Sequence, residues 1–203
     1  MSPRLKQPVP ERASRYFDRH FQCPAMKILP GEFYATGADE AIVTVLGSCV
    51  AVCLLDPVLA IGGMNHFMLP IQPEPRQDDP YYAARYGAGA MELLINEMLH
   101  LGAGRQRLVA KVFGGGQVMA GLSDIGQRNA LFIRDFLRVE GIPRLAEDLG
   151  GSFPLKVYFF PATGQVLVKR ISKLRNRTLV RREQAYFARL SQGTDEPDVE
   201  LFP

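Results

Sequence analysis

Between positions 41 and 69 apolar residues run almost without a break, in stretches too short for helices and separated by turn residues. Residues 41–46 (AIVTVL) are β-branched and apolar, the pattern of a buried strand. Gly47-Ser48 interrupts, and Cys49 to Leu55 (CVAVCLL) makes a second run. Asp56-Pro57 follows, with Asp suited to the first turn position and Pro pre-set for the second. Leu59 to Leu69 (LAIGGMNHFML) then reads as the returning strand, and 71–82 (IQPEPRQDDPYY) as a polar loop. The period next becomes helical: Met91, Leu94, Ile95, Met98 and Leu99 share one face, and Gly102 is placed to stop the helix.

Leu108 to Phe113 predicts a strand ending in Gly114-Gly115-Gly116, where tight backbone packing explains the glycines better than a phosphate loop lacking its Lys-Ser/Thr. A second helix is expected from near Ile125 to Val139. Asp124 and Gln127 are spaced as a capping box, and Gly141 and Pro143 close the helix. Val157–Phe160 and Gln165–Ile171 predict a hairpin around Pro161-Ala162-Thr163-Gly164, and a last helix spans Arg182–Leu190. Residues 1–30, rich in Pro and Arg, read as an arm with at most a short helix around Arg12–Phe21. The class is α/β or α+β, in one domain.

Composition narrows the function. A chain of 203 residues with 47% hydrophobic and 22% charged residues is neither disordered nor fibrous. No apolar run reaches the roughly 18 residues of a membrane span, and the basic first 20 residues lack the apolar core of a secretory signal. The expectation is a soluble, cytoplasmic protein. Net charge is only +3, too mild to indicate nucleic acid. Lys169, Arg170, Lys173, Arg175, Arg177, Arg181 and Arg182 do crowd together ahead of the acidic Asp195, Glu196, Asp198 and Glu200, which suits a solvated surface and a loose tail. Three cysteines, an odd number, fit free thiols rather than a disulfide framework.

The candidate chemistry centres on one thiol and one imidazole. If Asp56-Pro57-Val58-Leu59 is the turn, facing residues have numbers summing to 115, which opposes Cys49 to His66 and Cys53 to Gly62. Opposed side chains in an antiparallel pair lie roughly 4.5–5.5 Å apart at Cβ, close enough for a thiolate–imidazolium pair. Gly47-Ser48 before the thiol would let a substrate approach, with free backbone N–H groups for an oxyanion. The same residues also suit a blander reading, a buried structural cysteine and a hydrogen-bonded core histidine. Cys49, Cys53 and His66 fall short of a four-ligand zinc site.

TVLGSCVAVCLLDP followed by GGMNHFMLP strongly resembles the CheD family of chemoreceptor glutamine deamidases. The likeness continues through AMELLINEMLHLGA, AKVFGGGQVM, IGQRNALF, EDLGG and KVYFFPATGQVLVK, covering roughly residues 29–175. The resemblance implies a layered sandwich of mixed and antiparallel β-sheets with flanking helices, preceded by an arm over 1–28 and followed by a helix and acidic tail over 176–203. It implies hydrolysis of receptor glutamine amides to glutamate and ammonia by a Cys–His–Thr site, carried onto Cys49, His66 and Thr44, without metal or organic cofactor. Thr44 lies five residues before Cys49, where some members place the threonine six before, and Leu155 stands where the family often has arginine. The partners it implies are the cytoplasmic domains of methyl-accepting chemoreceptors and a CheC-type phosphatase, with neither nucleic acid nor membrane insertion. The alternative is a non-catalytic docking module for the same partners. Turnover requires a Cys49 sulfur open to a visiting carboxamide, and labelled by iodoacetamide ahead of Cys23 and Cys53.

Overall fold

A computed structural model describes residues 14–69, 82–118, 123–171, 183–186, 188 and 190. Most of the loop expected over 71–82, the basic positions Lys173 to Arg182 and the acidic tail lie outside the described residues. Two five-stranded sheets face each other. The first has the order β1-β2-β4-β9-β10, from β1 (Ser14–Asp18), β2 (Cys23–Lys27), β4 (Ala41–Leu46), β9 (Leu155–Phe160) and β10 (Gln165–Arg170). The second has the order β3-β6-β5-β7-β8, from β3 (Phe33–Thr36), β6 (Ile61–Phe67), β5 (Val50–Asp56), β7 (Val109–Gly114) and β8 (Arg144–Leu149). Among the described residues, only β2–β4 and β7–β8 are parallel pairs. Helices α1 (Tyr82–His100) and α2 (Ser123–Val139) cover the outer face of the second sheet. The α/β class and the layered sandwich are therefore as expected.

Alternation along β5 shows how the layers are built, because successive side chains point to opposite faces. Val50, Val52 and Leu54 join the core under the helices, with Met91, Leu94, Ile95, Met98, Ile133 and Leu137. Cys49, Ala51 and Cys53 join the core between the sheets, with Ile42 and Leu46 of β4 and Val157 and Phe159 of β9. Both helices end as their glycines require. Gly102 and Gly141 have φ of +104° and +67°. In α1 the N–H of Ala103 bonds Met98 O and that of Gly102 bonds Leu99 O, and Ile142 and Gly141 repeat the pattern on Leu137 and Arg138.

Two expectations are corrected. The short helix around Arg12–Phe21 is absent: residues 14–18 are strand β1, paired antiparallel with β2 from Ser14↔Lys27 to Asp18↔Cys23. Pro24 is tolerated because the parallel ladder to β4 begins only at Ala25↔Ala41, leaving no N–H missing on that side. The hairpin register is also displaced by two. Its connection is the four residues 57–60, with Ala60 at φ +54°, so Ala51 rather than Cys49 opposes His66, and Cys53 opposes Met64 rather than Gly62. The cause is Asp56, whose Oδ1 accepts the N–H groups of Val58 and Leu59 and widens the turn.

Candidate active site

A slip of two residues preserves the side-chain face. Cys49 and His66 therefore both still point between the sheets, and Cys49 Sγ, a ring nitrogen of His66 and a carboxylate oxygen of Glu183 lie within 4.8 Å of one another. Thr44 comes from the opposite sheet. Ile42 and Leu46 of β4 point inward, so Thr44 does too, and its Oγ1 lies 2.8 Å from His66 Nδ1. The structure thus brings together all three residues singled out in the sequence and adds Glu183 as a fourth.

The protonation pattern follows from one hydroxyl. Thr44 Oγ1 donates its single proton to the carbonyl of Ile28 at 2.9 Å. Toward Nδ1 it can only accept, so the ring proton sits on Nδ1 and the lone pair on Nε2. That Nε2 is buried and has no hydrogen-bond partner. Burial keeps the ring neutral, pulling its pKa down to about 3. The backbone holds the ring in place as well: His66 O accepts from Gly31 N at 2.7 Å and His66 N donates to Glu32 O at 2.9 Å.

The loop carrying the thiol is pinned by its carbonyls. Gly47 O accepts from Gly116 N, Cys49 O from Gly115 N, and Ser48 O from Nδ2 of Asn129. Gly114, at φ +106°, lies so close beneath that a Cβ there would collide with the Cys49 carbonyl. The expectation of tight packing at the three glycines is met. With every carbonyl of 47–49 engaged by the glycine loop or α2, the three N–H groups converge on one point, an anion-binding nest.

These N–H groups are not free, as the sequence suggested; Glu183 occupies them. Its Oε1 accepts from Gly47 N at 2.7 Å and Cys49 N at 3.4 Å, and its Oε2 accepts from Ser48 N at 3.0 Å and Ser48 Oγ at 2.9 Å. The Cys49 thiol donates to the same carboxylate, and burial together with this negative charge pushes the thiol well above its ordinary pKa. The resting site is thus a neutral thiol beside a neutral imidazole, not the thiolate–imidazolium pair expected. The sulfur is not open either: Cys49, Thr44, His66 and Glu183 are all at most 1% exposed. Of the three thiols only Cys23 is partly exposed, so in this state Cys49 has no advantage in exposure over Cys23 or Cys53.

Sequence reasoning missed two of these residues. Asn129 stands on the apolar face of α2 between Ile125 and Ile133, and a polar residue in that stripe was a legible signal; its Oδ1 also accepts from Leu69 N at 2.9 Å. Glu183 contacts a loop more than 130 positions away, and its only local signal was an acid among the basic residues near position 182.

Comparison with known proteins places the chain in a family. A family model described as CheD chemotactic sensory transduction matches residues 68–170. A protein of Herminiimonas arsenicoxydans named "probable chemoreceptor glutamine deamidase CheD" is 54% identical over 189 residues, 92% of this chain and 93% of that one. A protein of the same name from Janthinobacterium sp. (strain Marseille) is 56% identical over the same shares. Another, from Methylobacillus flagellatus, is 50% identical over 203 residues, 98% of this chain and 100% of its own. Among solved structures, the hypothetical protein YfiH of Bacillus licheniformis aligns at 13% identity and a TM-score of 0.39, over 60% of this chain and 51% of that one. On its sequence likeness over nearly its whole length, the chain belongs to the CheD family.

Proposed function

We propose that the protein is a glutamine deamidase of chemoreceptors, with Cys49 as nucleophile, His66 as general base and acid, and Thr44 as the residue that orients the ring. The observation that carries the reading is the buried, unpartnered Nε2 of His66 in a trio with Cys49 Sγ and Glu183. A lone pair kept from water and from any donor is costly unless it is used. With substrate in place, Nε2 takes the thiol proton and the sulfur attacks the carboxamide carbon. The N–H groups of Gly47, Ser48 and Cys49 receive the developing oxyanion. The imidazolium returns the proton to the leaving nitrogen, ammonia departs and a thioester remains. Neutral Nε2 then deprotonates water, which attacks the thioester and releases glutamate and the thiol.

The names of the relatives support chemoreceptors as the substrate. No helix among the described residues is long and apolar enough to cross a membrane. That fits our reading of a cytoplasmic enzyme acting on receptor cytoplasmic domains. A CheC-type phosphatase as partner rests on the resemblance alone.

The test is ammonia release from a purified receptor cytoplasmic fragment, with mass spectrometry of its peptides. Each deamidated site gains about one dalton, as replacement of amide by acid in acyl transfer requires. Cys49→Ala is expected to abolish the change while the variant stays folded. The buried sulfur favours the rival reading, a docking module without turnover. Unchanged mass with the parent protein, or normal turnover by Cys49→Ala, decides against catalysis by this thiol.

A further inference from the structure

Glu183 is chemically what a glutamine becomes after deamidation: the same side chain with a carboxylate in place of the carboxamide. It is also placed where such a product belongs. Its oxygens take the three backbone N–H groups beside the nucleophile and the hydroxyl of Ser48. It accepts the hydrogen bond of the thiol, and Nε2 of His66 is left without a partner. Among the described residues no lysine or arginine pairs with this buried carboxylate; it is held by the backbone nest and the Ser48 hydroxyl.

The segment that carries Glu183 is seated as a ligand would be. Residues 183–186, 188 and 190 are helical, and Tyr186 and Leu190, at i+3 and i+7, fall on the same face as Glu183. Both are buried in the core between the sheets together with Cys49. Tyr186 bonds Tyr86 of α1 through their hydroxyls at 2.5 Å. Gly31, beside the backbone that anchors His66, makes room for its ring: a Cβ there would meet Tyr186 Cε2 at 3.0 Å. One helical face thus fills the approach to the thiol, with a carboxylate at its head and two large side chains behind.

We propose that the segment bearing Glu183, Tyr186 and Leu190 is a tethered product, in which Glu183 occupies the subsite of a substrate glutamine side chain, holds the resting enzyme closed, and would be regenerated in cis from a glutamine at that position. The proposal rests on the deamidase reading for its chemistry and on geometry alone for the closure. A purely structural role for Glu183, bracing the 47–49 loop, makes opposite forecasts.

In the Glu183→Gln variant, Cys49 attacks the carboxamide carbon of the introduced side chain, ammonia leaves, and water cleaves the thioester. Mass spectrometry is expected to show the peptide spanning position 183 gaining about one dalton, in the amide-to-acid exchange of acyl transfer. The gain is absent in the Cys49→Ala/Glu183→Gln double variant. Glu183→Ala and Tyr186→Ala, which open the site without restoring an amide, are expected to raise iodoacetamide labelling of Cys49 and ammonia release from the receptor fragment. The rise is at least about fivefold, because the closed fraction no longer subtracts from the competent one. A glutamine that stays unchanged at this position, in an enzyme that does deamidate the receptor fragment, overturns the cis reaction and leaves the functional reading standing. Cys49 labelling that does not rise in Glu183→Ala, or receptor turnover that falls, overturns the closure. If receptor turnover is absent even in the parent, labelling alone still decides the closure.

Discussion

Thr44 reaches His66 across the space between two sheets, Oγ1 to Nδ1 at 2.8 Å, and so ties the rotation of a ring on β6 to a residue on β4. An orienting partner from the same strand would move with the ring; this one fixes it against the opposite layer. A triad's third member acts by holding the tautomer and the aim of the imidazole. Thr44→Val keeps the shape and removes the acceptor. The expected outcome is a loss of ammonia release on the order of 10–100-fold, part of the 10²–10⁴ that general acid–base catalysis supplies. Thr44→Ser keeps the hydroxyl and should retain most of the rate. Comparing the two variants on one receptor fragment checks the role of the hydroxyl against that of packing.

His66 makes stability depend on acidity. Its folded pKa is drawn down to about 3 by burial, against an ordinary 6.5. Between those values the unfolded chain binds a proton that the folded protein refuses, so stability falls as pH drops through 6.5 toward 3. The slope from one such proton approaches about 1.4 kcal/mol per pH unit. Urea unfolding measured from pH 7 to pH 4 should show this loss. His66→Gln, which cannot take up the proton, should flatten the slope by about one proton, whatever it does to stability at neutral pH.

How far the site could be read from residues alone turns on Asp56. The strands on either side of it were legible because β-branched and apolar residues form short bounded runs, and the helices because Met91, Leu94, Ile95 and Met98 recur at helical spacing. The register was not, since an Asp side chain that accepts two following N–H groups converts a two-residue connection into four. The candidate pair survived that error only because the slip was even. Strands β1, β2, β3 and β8 escaped notice for a different reason. The pattern RLAEDL of β8 has exposed charges on an edge and is held by a parallel ladder to β7, which leaves no period-two signal in the sequence. Glu183 was beyond reach because local pattern carries no trace of a contact made by a distant helix with backbone N–H groups.

Asp56 also has a measurable structural weight. Its carboxylate is fully buried, accepts Gly104 N at 2.8 Å, and takes Nε and Nη2 of Arg107 at 3.0 and 2.6 Å. The Arg107 hydrogen bonds hold it far below the ordinary carboxylate range, so it stays ionised in the fold. Asp56→Ala strands these donors, and the expected loss is about 3 kcal/mol by urea denaturation. Arg107→Ala should cost less, because that side chain is 42% exposed and water replaces part of what it gives.

Asn129 couples a helix to the loop of the nucleophile. Its Nδ2 donates to Ser48 O at 2.9 Å and its Oδ1 accepts from Leu69 N at 2.9 Å, both in the buried interior. Leucine at this position matches the volume and the apolar stripe of α2 yet leaves one donor and one acceptor unmade, each costing about 1–3 kcal/mol. Asn129→Leu is therefore expected to lower stability by roughly 2–6 kcal/mol on that scale, and to lower turnover further than a remote variant of equal stability. Asn129→Asp loses only the donation to Ser48 and adds a buried charge beside a carbonyl.

Gly114 admits no side chain. Its φ of +106° lies in the region that L residues rarely adopt, and an added Cβ would overlap the carbonyl oxygen of Cys49. That carbonyl is the anchor by which Gly115 N, at 2.7 Å, holds the nucleophile's loop. Alanine at this position must therefore push the loop away from the glycine run and tilt the three N–H groups out of convergence. At Gly150, also at positive φ (+81°), a Cβ has nothing within 4 Å. Both alanine variants carry the backbone strain of about 1–2 kcal/mol, but only Gly114→Ala moves the nucleophile. The expected result is that Gly150→Ala keeps the turnover of the parent after a modest loss of thermal stability, while Gly114→Ala loses both. Equal ammonia release by the two purified variants would mean that the glycine run supports the fold without positioning Cys49.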